Sequence, residues 1–315
     1  MYSILQKNKP QYTPSVSDDK KRIRFIINPL SGVRKRMSIE NLIQKELDKI
    51  KFDYEIAYTE YAGHATELAT EAVKEGFDIV VAVGGDGSVN EVAKSLIGTN
   101  TALGIVPAGS GNGFAMHLGW GRDIATVIRS LGESTVETFD SCLINDRPFI
   151  NLAGVGFEAK VVDYMHCVKK RGFQAYVKAF FKHLFVYKFK HYHIKIDDEI
   201  FETEALTITV ANAPMYGYNF IVAPFAKPDD GKLEVVVFKR ANRLLYIIAS
   251  IRMFTKSINQ SPIIQRFSGE RIEISLKEPD FAQVDGEGYA TEEAKLVFTV
   301  NPLSLKVLVP KKKLA

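Results

Sequence analysis

The chain has 315 residues, a length that favours two domains rather than one. Hydrophobic residues make up 46% and charged residues 25% of it, the composition of an ordinary soluble globular protein, which excludes global disorder. The 41 basic and 37 acidic residues give a net charge of +4, a mild balance that does not indicate nucleic acid as a partner. The two cysteines, Cys142 and Cys167, are too few for a disulfide framework and favour a reducing, cytoplasmic location.

The first 20 residues are predicted to form a loose leader, because they are polar and lack the apolar core of a secretory signal. No apolar run approaches the ~18 residues that are needed to span a bilayer. The longest candidate, residues 244–251, is predicted to be a buried strand or helix segment. Any contact with a membrane is therefore expected at its surface.

From residue 21 onwards, strands are predicted to alternate with helices. Short apolar runs predict strands at 23–27, 77–83 and 103–106, and residues 52–58 alternate as a half-exposed strand. The run at 77–83 is almost continuously apolar, which is typical of a central parallel strand that is covered on both faces.

Three helices are predicted between these strands. The first begins at Ser38 with a buried face that extends to Ile50, and the second runs from 62 to 75 and ends at Gly76. The third begins at Ser88, where Ser88 and Glu91 match the capping-box pattern. The alternation of strand and helix predicts an α/β fold, with a doubly wound domain at 21–140.

Beyond residue 140 the pattern changes to short alternating strands that are separated by turn signals. This rhythm predicts an antiparallel β domain at 141–300. Two helical segments, at 159–185 and 243–254, are expected to interrupt the strands.

A glycine-rich turn, GGDGS at 84–88, follows the strand at 77–83. Glycines let a chain turn sharply and bring backbone N–H groups close to an anion, and the helix that begins here points its positive end at the same place. Such turns also occur in α/β proteins merely as tight connections. Within the turn, phosphates would repel the carboxylate of Asp86 unless a metal ion or a transferable proton is involved. The alternative is an Asx turn that caps its own loop.

A second glycine-rich loop, PAGSGNG at 107–113, follows the next strand. It is not a P-loop, because no lysine follows the glycines, and the glycine spacing around Ser110 is not that of a hydrolase nucleophile elbow. Ligands bind at the carboxyl ends of the strands in such sheets. Two glycine-rich loops at neighbouring strand ends therefore favour nucleotide binding.

Together these segments resemble the diacylglycerol kinase catalytic domain, whose superfamily includes bacterial diacylglycerol kinases, sphingosine kinases and ceramide kinases. In the first half, the motifs that show the resemblance are NPLSG at 28–32, GHA at 63–65, GGDGSVNEV at 84–92 and PAGSGN at 107–112. In the second half they are FINLAGVGF at 149–157, AP at 223–224, DDG at 229–231 and DGE at 285–287. Motifs in the same order thus cover almost the whole chain.

The resemblance implies a nucleotide-binding α/β domain followed by a β-sandwich domain for the lipid substrate, with ATP in the cleft between them. It also implies that the segment 301–315 returns to the first domain. Residues at the matching positions are expected to bind ATP. They are Asn28, Pro29, Ser31, Gly32, Thr59, Gly84, Gly85, Asp86, Gly87, Ser88, Asn90, Glu91, Gly109, Ser110 and Glu287.

The resemblance offers two candidates for the carboxylate that takes the proton from the lipid hydroxyl. The residue that matches Asp285 has this role in bacterial relatives, and the residue that matches Asp86 has been given it in sphingosine kinases. We expect Asp285 to take the proton and Asp86 to organise Mg²⁺ and the phosphates. From the residues alone, Asp285 and Gly286 indicate only a hairpin turn between two strands.

The DDG turn resembles a loop that holds a structural Mg²⁺ in bacterial relatives. The resemblance implies that Asp230 supplies a carboxylate there, with the backbone oxygens of Lys227 and Lys232 beside it. A plain acidic turn after Pro228 explains the same residues.

Residues 169–193 are unusually basic and aromatic, and Lys311, Lys312 and Lys313 form a second basic cluster. A helix with this polar face could lie on anionic lipid, although a core-packing helix with a solvated basic face explains the same pattern. Peripheral association with the inner face of the membrane is therefore one expectation, and a homodimer is compatible with the resemblance.

The acceptor lipid stays open between diacylglycerol and a sphingoid base. The second glycine loop resembles the sphingosine kinase form, whereas the chain length and the DDG turn resemble the compact bacterial enzymes. Two other functions are alternatives: a soluble NAD kinase, which shares the Gly-Gly-Asp-Gly turn, and a non-catalytic lipid-binding module. The presence of Asp86, Asp285 and Glu287 favours an active ATP-dependent lipid kinase.

Overall fold

The first half of the chain builds a parallel sheet from four short apolar segments. The computed structural model describes residues 20–31, 36–166, 168 and 172–311. The strands are β1 (Lys21–Ile27), β2 (Phe52–Tyr58), β3 (Ile79–Gly84) and β4 (Ala102–Pro107), in the order β2–β1–β3–β4. Every residue of β3 and β4 is buried, as expected of parallel strands that are covered on both faces.

Five helices accompany this sheet: α1 (Arg36–Glu46), α2 (His64–Lys74), α3 (Asp86–Leu96), α4 (Gly113–His117) and α5 (Ile124–Ser130). α1 packs beside α5, and α2 packs beside α3. Apolar side chains at helical spacing join the core, among them Val89, Val92 and Leu96 of α3. The predicted α/β architecture of the first domain is confirmed.

The third helix begins earlier than predicted. α3 starts at Asp86 with Gly85 as its N-cap, so Ser88 lies inside the first turn and is not the capping residue. Glu91, the other half of the predicted capping box, instead accepts a hydrogen bond from the backbone N–H of Ala65 at 3.2 Å. The prediction of a capping box is therefore wrong.

The second half of the chain builds an antiparallel sheet. Its strands are β5 (Thr135–Ile144), β6 (Arg147–Phe149), β7 (Leu152–Gly156), β8 (Lys190–Ile196), β9 (Glu199–Ala211), β10 (Met215–Tyr216), β11 (Phe220–Ile221), β12 (Leu233–Lys239), β13 (Ile264–Gly269), β14 (Arg271–Ser275), β15 (Phe281–Val284), β16 (Glu287–Ala290) and β17 (Lys295–Val309). They follow the order β16–β15–β7–β9–β8–β14–β17, with β12 beside β9, β13 beside β12, and β5 between β17 and β6. β10 and β11 pair separately.

Three helices interrupt these strands: α6 (Phe157–His166), α7 (Phe173–Leu184) and α8 (Arg243–Phe254). α6 and α7 occupy the segment that was predicted as one helical interruption at 159–185, and α8 has the predicted bounds. The helices pack on a core that includes Phe157, Leu184, Tyr246 and Met253.

The long strand β17 belongs to both halves of the molecule. Its first part pairs antiparallel with β14, its last part pairs parallel with β4 at Val307 and Leu103, and β5 pairs along both parts. The register with β5 shifts between Asn301 and Leu305. One continuous sheet therefore runs from the first domain into the second.

Ile50 and one side of α8 were predicted to be buried but are exposed. Ile50 is 85% exposed, because α1 ends before it is reached. In α8, the side chains of Leu244, Ile248 and Ile251 point outwards and are 61%, 46% and 58% exposed. Within the described ranges, no helix has the length and apolar character that crossing a bilayer requires.

Candidate active site

The carboxyl ends of β1 to β4 meet at one edge of the parallel sheet. Backbone hydrogen bonds join the segments that follow the strands: Asn28 donates to the end of β3 at 3.1 Å, Thr59 to the end of β1 at 3.0 Å, and Gly109 to the end of β3 at 3.0 Å. Ligands bind at this edge in doubly wound sheets. Predicted ATP contacts from four segments thus lie together, whereas Gly32 lies outside the described residues.

Hydroxyl and amide groups surround Gly84 at the end of β3. The side-chain amide of Asn28 donates to the hydroxyl of Ser88 at 3.3 Å. A Cβ at Gly84 would lie 2.4 Å from the Oγ of Ser88 and 3.3 Å from the Oγ of Ser31. A side chain at this position would therefore displace both hydroxyls. Pro29, another predicted ATP contact, is exposed in the turn after β1.

The two glycine-rich loops touch through their backbones. A Cβ at Gly109 would be 2.4 Å from the Cα of Gly85, a contact that no side-chain movement could relieve. A Cβ at Gly87 would lie 3.1 Å from Oε1 of Glu287, so this glutamate of the second domain reaches the first turn of α3. Ser110 is exposed in the second loop. The start of α3 thus faces both the second loop and the second domain.

The carboxylate of Asp86 turns towards the second glycine-rich loop. It accepts hydrogen bonds from the backbone N–H groups of Asn112, Gly113 and Phe114, at the start of α4. Burial, together with the nearby negative charge of Asp285, raises the pKa of Asp86 to about 6. The three N–H groups lower this pKa but do not cancel the shift. Asp86 therefore changes its charge close to neutral pH.

Asp285 is buried in the second domain, where four N–H donors hold its carboxylate. Oδ1 accepts the backbone N–H groups of Asn151 at 3.0 Å and Leu152 at 2.9 Å. Oδ2 accepts the N–H of Ile150 at 3.0 Å and the side-chain amide of Asn90. Burial raises the pKa of Asp285 against the lowering effect of these donors. A carboxylate has about four lone-pair sites, so Asp285 is saturated in this arrangement.

Asn90 links the two domains, because it lies in α3 and its amide binds Asp285. Its Oδ1 is buried and has no hydrogen-bond partner among the described residues. A buried carbonyl oxygen without a donor is costly, and a bound water molecule or an ion is one way to satisfy it. Asn90 and Glu91 are both predicted to bind ATP. The structure places the side chain of Asn90 against Asp285 and that of Glu91 against the start of α2.

Glu158, which the sequence analysis missed, lies half-buried beside the turn between β15 and β16. Its Oε2 accepts the hydroxyl hydrogens of Thr209 at 2.6 Å and of Tyr216, and its Oε1 accepts the amide of Gln283 at 3.2 Å. Burial raises the pKa of Glu158 to about 7 in spite of these donors. Gln283 in turn accepts the backbone N–H of Gly286 at 3.0 Å. Glu158 thus supports the turn that bears the buried aspartate.

No local motif reveals Glu158. Its only signal in the sequence is an acidic residue in the first turn of a helix that follows a buried strand, and such residues are common. Its partners lie on β9, β10 and β15, which are far away along the chain. The cluster therefore becomes visible only in three dimensions.

The predicted Mg²⁺ loop folds as an acidic turn. Oδ1 of Asp230 accepts the backbone N–H of Lys232 at 3.0 Å, and the buried Asp140 accepts that of Gly231 at 2.8 Å. In the part of the chain that the structure describes, no three His, Cys, Asp or Glu side chains group together as a metal site. Asp230, Lys227 and Lys232 therefore stay a prediction.

Comparisons with known proteins agree with this architecture. The family profile of the diacylglycerol kinase catalytic domain matches residues 22–144, and that of the YegS C-terminal NAD kinase beta sandwich-like domain matches residues 151–309. Over 232 residues the chain is 34% identical to a diacylglycerol kinase of Staphylococcus saprophyticus, covering 71% of this chain and 74% of that protein. Over 312 residues it is 30% identical to an uncharacterized protein of Synechocystis sp., covering 91% of this chain and 70% of that protein.

A solved structure extends the agreement to the fold. The crystal structure of a diacylglycerol kinase from Bacillus anthracis superposes with a TM-score of 0.70 at 21% identity, covering 92% of this chain and 97% of that one. The two family profiles follow each other in the order of the two domains and together span nearly all of the described chain. The chain belongs to the diacylglycerol kinase family of lipid kinases.

Proposed function

We propose that the protein transfers the γ-phosphoryl group of ATP to the primary hydroxyl of a lipid, with the help of Mg²⁺. The observation that carries this proposal is that α3 begins at Asp86 and also holds Asp285 through the side-chain amide of Asn90. One carboxylate comes from each domain, so the cleft between the domains presents an acid from both sides. Phosphoryl transfer depends mainly on positioning and on charge stabilisation, and such a cleft supports both.

The start of α3 fits the phosphate groups of ATP. The N-cap residue Gly85 has no side chain to cap the N–H groups of this end, and the helix dipole favours negative charge there. The hydroxyls of Ser31 and Ser88 and the amide of Asn28 lie at the same strand ends and can donate to phosphate oxygens. Together these groups support ATP as the phosphoryl donor.

The residues at this place also fit Mg²⁺. Asp86 and Glu287 bring carboxylate oxygens to the first turn of α3, and Mg²⁺ prefers such hard ligands. When it is bound, Mg²⁺ neutralises charge on the phosphates. With a pKa of about 6, Asp86 is mostly ionised at pH 7 and suited to this role.

Asp285 is the proposed general base. The lipid hydroxyl has to replace the amide of Asn90 on Oδ2, because both oxygens of Asp285 are already saturated. The three backbone donors at 150–152 keep the carboxylate oriented during this exchange. Asp86 is the alternative base, since its pKa of about 6 allows it to exchange a proton near neutral pH.

Diacylglycerol is the first candidate for the acceptor. Two relatives are named diacylglycerol kinase. They are 34% and 28% identical to this chain, and the matches cover 74% and 90% of their own lengths. A sphingoid base is the second candidate, because the loop at 107–112 resembles the sphingosine kinase form. NAD is the third, since the profile that matches residues 151–309 is described as NAD kinase-like. With a lipid acceptor, the protein works at the cytoplasmic surface of a membrane.

A radiolabel transfer assay tests this proposal. Purified protein is incubated with labelled ATP, Mg²⁺ and either NAD or mixed micelles that contain diacylglycerol or sphinganine. We expect label in a product that is extracted into organic solvent, with diacylglycerol as the better acceptor. Label on NAD alone, or no turnover with any acceptor, would refute the lipid kinase.

A further inference from the structure

The outward side of α8 is apolar. Leu244, Ile248, Ile251 and Phe254 are 61%, 46%, 58% and 42% exposed, and their helical spacing places them on one side of α8. The solvent side of a helix in a globular protein is normally polar, and a contiguous exposed apolar patch marks an interaction surface. We call these four residues the α8 face.

The chain segments that contain α7 and α8 are basic. Residues 235–269, which contain α8, include lysines and arginines but no Asp or Glu, and the same holds for residues 164–196, which contain α7. Lys178 on α7 and Lys256 just after α8 are exposed. Such a surface complements an anionic bilayer, whereas contact between two copies of it would bring like charges together.

Aromatic contacts connect the α8 face with the second glycine-rich loop. The ring of Phe254 lies 5.6 Å from that of Phe173 in α7, and Phe173 lies 5.4 Å from Tyr218. The backbone N–H of Tyr218 donates to the carbonyl oxygen of Gly111 at 3.2 Å. A Cβ at Gly111 would be 3.0 Å from Oδ2 of Asp86. A path of packed groups therefore leads from the exposed face to a catalytic carboxylate.

We propose that the α8 face docks on the surface of an anionic lipid bilayer. Its apolar side chains enter the boundary between head groups and acyl chains, while the lysines and arginines around α7 and α8 contact anionic head groups. In this orientation Phe254, Phe173 and Tyr218 lead from the bilayer to the second glycine-rich loop. This path rests on the proposed lipid kinase function, whereas the docking does not depend on it.

Vesicle sedimentation tests the docking surface. The wild type is expected to bind vesicles that contain phosphatidylglycerol more strongly than vesicles of phosphatidylcholine alone, and salt should weaken this binding. The double variant Ile248→Ser with Ile251→Ser should lower the partition coefficient on phosphatidylglycerol vesicles by about tenfold or more, because two exposed apolar side chains are lost. Leu244→Ser is expected to lower it in the same direction.

Ile200→Ser is the matched control. Ile200 is 67% exposed but lies in β9, away from α8 along the chain, so its replacement should leave the partition coefficient unchanged. Wild-type binding by the double variant, or an equal loss in the control, would overturn the proposal. So would a wild type that sediments as a dimer while the double variant is a monomer, since two copies would then share the face.

Two further measurements separate folding and function from docking. The thermal midpoint of the double variant is expected to match that of the wild type, because both replaced side chains are exposed. If the midpoint is lower and Leu244→Ser binds phosphatidylglycerol vesicles like the wild type, the proposal is overturned. The wild type is also assayed with ATP, Mg²⁺ and short-chain diacylglycerol in the absence of vesicles. Vesicle binding without turnover would refute diacylglycerol as the acceptor and leave the docking surface in place.

Discussion

Asn90 donates its side-chain amide to Oδ2 of Asp285, so that a helix of the first domain holds the buried acid of the second. The same helix begins at Asp86, one turn before Asn90. One end of α3 therefore positions both carboxylates, one directly and the other through an amide. Any displacement of α3 relative to the second domain changes the surroundings of Asp86 and of Asp285 together.

Asn90→Asp is expected to destabilise the protein. The variant keeps the shape of the side chain but places a carboxylate against the buried carboxylate of Asp285, so the free energy of unfolding at pH 7.5 should fall by about 1–3 kcal/mol. Protonation relieves the repulsion, and the loss should be smaller at pH 5. Urea unfolding at both pH values measures it. Asn259→Asp, at an exposed position, is the control and should cost little; equal losses for both variants would contradict the role of Asn90.

Asp285→Asn is expected to lower kcat for lipid phosphorylation by about 10²–10⁴, because an amide cannot take the proton from the hydroxyl. The KM for ATP should change little, since the proposed ATP groups other than Glu287 belong to the first domain. Steady-state kinetics with varied ATP separates these effects. A variant with more than a tenth of the wild-type kcat would exclude Asp285 as the base and leave Asp86 as the candidate.

Glu158 is expected to make stability depend on pH. Its folded pKa of about 7 lies above its ordinary value of 4.5, so the folded chain binds the proton more tightly than the unfolded chain does. The stability from this group is fully present below pH 4.5 and is lost as pH rises through 7. In Glu158→Gln, which removes the titrating group but keeps the size and shape of the side chain, the urea midpoint should fall less between pH 5 and pH 8 than in the wild type. Parallel pH profiles for the two proteins would be inconsistent with a Glu158 of raised pKa.

Gly109→Ala is expected to separate the two glycine-rich loops. Its Cβ would meet the backbone of Gly85 at 2.4 Å, and the overpacking should lower the free energy of unfolding by about 1–3 kcal/mol and weaken ATP binding. Gly121→Ala is the matched control, because a Cβ there meets nothing within 4 Å. Thermal unfolding and nucleotide titration of both variants measure the effects. Unchanged ATP affinity in Gly109→Ala would mean that ATP does not bind between the loops.

Much of the fold could be predicted because its signals are local. The strand at 52–58 and the helix at 243–254 have the bounds that periodicity predicts, since hydrophobic spacing over one element suffices to define them. Burial was harder to predict. The apolar run in α8 was expected inside the core, but which side of a helix is covered depends on its neighbours, and none of the described elements covers Ile248 or Ile251 fully.

The candidate site could be predicted only where a motif is continuous in sequence. The turn at 84–88 and the loop at 107–113 end neighbouring parallel strands, so topology alone brings them together. The pairing of Asn90 with Asp285 joins residues that are far apart in sequence and depends on how the two domains dock. The same reason hides Glu158, whose three partners come from separate strands.

The shared strand β17 has a consequence for how the protein opens. On one side of the register shift β17 is hydrogen-bonded to β4, and on the other side it is hydrogen-bonded to β14. The two domains therefore cannot move as independently as domains that are joined by a flexible linker. Opening of the cleft has to bend or twist β17 near residues 301–305. The same continuity couples the stability of the two halves, so that loss of this strand would remove support from both cores at once.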